Sequence, residues 1–127
     1  MKNLVAVLLL ITVLSSCSLS IHYLKKGKID VPQKETYAVT YQALFGENTS
    51  AKISYLDENG KRQKLKGIRG QWEKTIMMKP GSNGHIKATA KGNKARGEFK
   101  VLVDGKVISE QILTNKKVIF GLDFYLP

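Results

Sequence analysis

The sequence is poor in the residues that most chemistry requires. One cysteine in 127 residues excludes an intramolecular disulfide, and with two histidines no Cys/His zinc cluster can form. No H-E-x-x-H, no G-x-S-x-G elbow and no acidic calcium loop occurs. Acids are scarce too: 10 Asp and Glu stand against 21 Lys and Arg, a net charge of +11. The one long apolar run, Leu4 to Leu14, is shorter than the roughly 20 residues that a spanning helix needs, and Ser15, Ser16, Ser18, Ser20 and His22 follow it. What remains is a chain long enough for one domain, at about 100–200 residues each. With 43% hydrophobic residues it can bury a core and is not a disordered polycation.

Lys2 followed by the apolar run has the layout of a secretory signal peptide. The run ends in Leu14-Ser15-Ser16-Cys17, which resembles the lipobox of bacterial lipoproteins: an aliphatic residue, two small ones, then the cysteine that receives lipid. The resemblance implies cleavage before Cys17, diacylglyceryl transfer to its thiol, and anchoring by two or more acyl chains, where one alone binds only marginally. Ser18, with no Asp after the cysteine, favours the outer membrane if the host is diderm. The reading divides the chain into a signal peptide (1–16), a lipidated tether (17–36) and a β domain (37–127). Within the tether, Ile21, Tyr23 and Leu24 fit either an interfacial contact or a first edge strand.

From Tyr37 the apolar period is two. Strand-like runs cover 37–45, 51–56, 61–68, 71–78, 85–91, 97–103, 106–113 and 117–126. Asn59-Gly60 and Asp104-Gly105 mark two hairpins, the second with the two-residue loop of a type I′ turn. Lys91 to Gly97 reads as a connection between strands, and no helical period follows the signal peptide. Turn signals at such spacing predict an all-β, immunoglobulin-like sandwich of about seven antiparallel strands. Phe45, Trp72, Phe99, Val101, Val103, Ile108 and Ile119 form the expected core. Trp72 fits a core position better than a binding groove.

A non-enzymatic protein is expected. With Cys17 committed to lipid no thiol nucleophile is left, and a Ser-His-acid triad would have to use His85, the one histidine in the predicted domain. A carboxylate pair for glycoside hydrolysis is the constellation a sequence leaves open, because two distant acids can meet in space. No cofactor or metal is expected.

The charge is confined to one sector. Residues 61–106 hold thirteen bases against Glu73, Glu98 and Asp104, whereas residues 17–60 and 107–127 are each balanced. Alternation puts Arg62, Lys64 and Lys66 on one strand face, Lys87 and Lys91 on another, and Arg96 and Lys100 opposite the apolar face of theirs. If the strands are neighbours, these seven form a basic sheet face for anionic lipid or glycan. The alternative is a solvated lysine surface that keeps edge strands from pairing. Secretion removes the protein from nucleic acid, so no such partner is expected.

Tyr37-Ala38-Val39-Thr40-Tyr41, the stretch Ile53-Ser54-Tyr55-Leu56-Asp57-Glu58-Asn59-Gly60, Gln71-Trp72, and Val103-Asp104-Gly105-Lys106-Val107-Ile108-Ser109-Glu110 resemble the MmpS family over about residues 37–122. The resemblance implies a β-sandwich outside a membrane anchor and an accessory role beside an RND/MmpL-type transporter. The chain departs from that family's pattern in having Gly70-Gln71 before the tryptophan in place of Leu-Pro, and a lipobox in place of a spanning helix.

Overall fold

The structure, a computed structural model, describes residues 18–127. The expected signal peptide and Cys17 therefore lie outside the described residues. Seven strands follow one another: β1 (Leu19–Lys28), β2 (Tyr37–Phe45), β3 (Ser50–Leu56), β4 (Arg62–Ile68), β5 (Gln71–Met78), β6 (Asn83–Val103) and β7 (Lys106–Tyr125). The expected all-β class holds, with every described element a strand.

Two long strands build the sandwich. Residues expected to form separate strands, 85–91 and 97–103, belong to the single 21-residue β6, and 106–113 and 117–126 fall largely in the 20-residue β7. Pairing between β6 and β7 is interrupted from Lys91 to Ala95, where Gly92 packs so close to the Asn48 carbonyl that a Cβ there would sit 2.4 Å from the oxygen. On one side of this break β6 pairs with β3, and β3 with β4. On the other it pairs with β2, and β2 with β5. The bent hairpin thus carries two layers, β4-β3-β6-β7-β1 and β5-β2-β6-β7, within one continuously bonded sheet.

Inward side chains of the two layers meet in an aromatic core. Phe99 stacks on Phe120 at 4.7 Å between centroids, and Tyr55 of the first layer touches both Tyr41 and Trp72 of the second. Offset-stacked and tilted rings at such spacings add to the gain from burial. Phe45, Phe99, Val101 and Val103 are buried as expected, while Trp72 and Ile108 pack against the core from its margin. Ile119 is not core: in β7 the inward set is Val118, Phe120, Leu122 and Phe124, and period two sends Ile119 outward.

The first element departs most from expectation. Of the two alternatives for Ile21, Tyr23 and Leu24, the structure shows the edge strand: β1 pairs with β7 from Leu19↔Lys117 to Lys28↔Tyr125. The sheet therefore reaches back into the segment read as a tether. This pair is parallel, in a fold expected to be wholly antiparallel. A parallel partner requires a crossover, and here the crossover is the whole domain between residues 28 and 117.

Both predicted hairpins form, by different turns. Asp104 and Gly105 have φ of 50° and 81°, as a type I′ turn demands. In the other, only Gly60 has positive φ, and Gly60 N–H donates to the Asp57 carbonyl at 3.0 Å. That is a turn over Asp57–Gly60 rather than an Asn-Gly type I′ loop. The Asp57 carboxylate accepts from the Lys61 and Asn59 amides and from Gln63, each at 2.9 Å. The Lys61 amide, then Gln63, hold this carboxyl below its usual range.

Candidate functional site

Strand alternation and register decide which bases share a surface. Lys64 pairs through Ser54 to Lys87, and Arg62, Lys66 and Lys91 continue the same face. The layer adds Lys52 on β3, Lys117 opposite Lys91, and Lys25 opposite Asp123. Lys52, Lys64, Lys66 and Lys87 surround a shallow groove of about 180 Å³ with Ser54 and Thr89 hydroxyls beside them and Leu65 in its floor. Among the described residues none of these four lysines forms an ion pair. Clustered, unpaired cations with apolar stems form a field that attracts anions and covers apolar surface at the same time.

Two of the seven predicted bases do not belong to this face. Arg96 and Lys100 lie beyond the break in β6, on the second layer. Arg96 pairs with Glu98 at 3.2 Å and Lys100 with Glu110 at 3.6 Å, so their charge is locally matched. The bend in β6 is the reason: residues 83–91 and 95–103 serve different layers, and the two halves turn their polar sides in different directions. The second layer's outer side has its own groove of about 330 Å³, where Trp72, Leu44 and Ile112 adjoin Glu98 and Glu110. Trp72 thus serves both as core margin and as groove wall.

At one end of the basic face stands a polar cluster that sequence spacing could not assemble. His85 Nδ1 donates to Asp123 Oδ1, the Tyr23 hydroxyl donates to Asp123 Oδ2 at 2.8 Å, and Arg62 Nη1 lies 3.4 Å from His85 Nε2 and 3.1 Å from the Ser54 hydroxyl. Five strands contribute. The Tyr23 ring lies flat over Gly121, where a Cβ would come within 2.1 Å of the ring, so only glycine admits it. Burial, then the bond to Asp123, pushes the Tyr23 phenol up to about 12. Nearby Tyr41 has a buried hydroxyl with no hydrogen-bond partner among the described residues, and burial raises it above the usual phenol range. One local signal existed: Asp123 is the single charged residue in the run Val118 to Tyr125.

Beside the basic groove, β1 and β7 present apolar groups. Leu19 is 44% and Ile21 60% exposed, and Ile119 pairs with Ile21. The inward side of β1 is tied down instead, with His22 stacked on Phe120 at 6.2 Å. Among the described residues no helix is long and apolar enough to cross a membrane.

Fold and face together define a class, the small two-layered β-sandwich with one polybasic outer sheet. A family model described as Mycobacterium membrane protein matches residues 4–120, and the chain belongs to this MmpS-like family of membrane proteins. The match covers the apolar N-terminal run as well as the sandwich. No curated protein shows significant similarity to the chain.

Proposed function

We propose that the chain is a non-enzymatic, extracytoplasmic lipoprotein, held at the membrane through Cys17, that acts as a binding or accessory module beside an RND/MmpL-type transporter. Membership in a family of membrane proteins supports this reading. The observation that carries it is that β1 begins at Leu19, two residues after Cys17, so a lipid on that cysteine would hold the sandwich directly at the bilayer. The non-enzymatic reading is supported at His85: Arg62 occupies its Nε2 side, where a hydroxyl nucleophile would have to stand. Replacing the spanning helix of related proteins by acyl chains leaves the domain as the part available to a transporter.

A second reading, direct binding of anionic lipid or glycan, is favoured by the gathering of Arg62, Lys64, Lys66, Lys87 and Lys91 on one outer face. Salt separates the two. Rising ionic strength weakens capture by exposed lysines, whereas co-purification with a transporter through packed surfaces survives it. Anchoring is tested by intact-mass analysis of the membrane-extracted protein. Cys17 is expected to be the first residue and to carry diacylglyceryl, and Cys17→Ala is expected to release the chain from membranes. An unmodified Cys17 in the wild-type protein overturns the anchoring.

A further inference from the structure

The outer face of the first layer joins two surface types. The β3-β4-β6 part is a field of lysines without acidic partners, and the β1-β7 edge exposes Leu19 and Ile21 beside Ile119. This edge is also where the chain enters the fold. Two residues of extended backbone reach at most about 7 Å, so a lipid on Cys17 and the side chain of Leu19 occupy the same neighbourhood.

We infer that this face lies flat on an anionic lipid surface, with Leu19 and Ile21 in the interfacial zone beside the anchor and Lys52, Lys64, Lys66 and Lys87 on lipid phosphates. The inference rests on the anchoring by Cys17 proposed above and names the orientation that the anchored domain takes. Three observations support it. Among the described residues the four lysines have no competing acid, so their charge is available to phosphate. Ile21 at 60% exposure is costly to leave in water on a strand whose other side is packed. Tyr23, laid across Gly121 and bonded to Asp123, fixes β1 to the sheet, so the apolar edge keeps one position relative to the lysines. The second layer offers no such match, since Arg96 and Lys100 are paired with glutamates.

The test uses the full lipidated chain reconstituted into vesicles of phosphatidylcholine alone or of phosphatidylcholine with phosphatidylglycerol, with no transporter present. An amine-reactive reagent followed by peptide mass spectrometry reads each lysine. Labelling of Lys64, Lys66 and Lys87 is expected to fall several-fold in the anionic vesicles and to return at high salt, while Lys100 and Lys106 label equally in both. Equal labelling of all five in the two vesicle types overturns the inference. So does equal protection by inorganic phosphate over neutral vesicles, which would mark a site for a free anion. The double variant Leu19→Ser, Ile21→Ser is expected to lose part of the protection, and full protection in that variant removes the apolar edge from the contact. Failure of the anchoring looks different: the chain then leaves the neutral vesicles, whereas failure of docking leaves it bound to both vesicle types with every lysine reactive.

Discussion

Tyr23 reaches Asp123 across Gly121, and its phenol is pushed from an ordinary 10.0 up to about 12. The neutral form is thus favoured in the fold. Its contribution is complete below pH 10 and is lost as pH rises through about 12. An absorbance titration of tyrosinate is expected to show a late step near pH 12 that is absent in Tyr23→Phe. The same variant is expected to lose about 0.5–1 kcal/mol in urea unfolding, a modest value because the bond is partly solvated. At this scale legibility was uneven. The Cys17 proposal needs only the four contiguous residues Leu14 to Cys17. The His85, Asp123, Tyr23 and Arg62 cluster could not be read, because Tyr23 and Asp123 stand 100 residues apart and meet only through the parallel pairing of β1 with β7.

The β6-β7 hairpin is the element on which both layers depend, and its turn is held from outside. Asp104 Oδ1 accepts from the Ala38 amide at 2.9 Å, and Asp104 N–H donates to the Ala38 carbonyl at 2.9 Å. The exposed Lys34–Asp104 pair adds little. Asp104→Ala removes the acceptor for Ala38 and places an alanine at φ 50°, so a loss of about 1–2 kcal/mol is expected, measured by urea unfolding. This hairpin was plain in the sequence because Asp-Gly encodes a turn locally. That β6 and β7 each run through both layers was not, since Lys91-Gly92-Asn93-Lys94-Ala95-Arg96 has loop composition yet lies within one strand. Position relative to Asn48, not propensity, sets the bend there.

For the whole molecule, cohesion between the layers rests on ring packing. Phe120 stacks on Phe99 from across the sandwich and carries His22 on its other contact. Phe120→Ala is expected to cost about 3–5 kcal/mol by transfer and cavity formation, a large part of the roughly 5–15 kcal/mol of a typical domain. A lowered melting temperature by circular dichroism, together with loss of the β1 amides' hydrogen-exchange protection, is the expected result. The two outer faces then divide the molecule: unpaired lysines and an apolar edge on one, matched charges around Trp72, Leu44 and Ile112 on the other. The sequence alone determined the β class, the two hairpins and the confinement of basic charge to residues 61–106, because period, turn chemistry and composition are local properties. Only the tertiary structure decided that β1 is an edge strand beside the basic face, that Ile119 points outward, and that Arg96 and Lys100 belong to the opposite layer. Those outcomes depend on register and on the bend of β6, which follow from contacts between residues far apart in the chain.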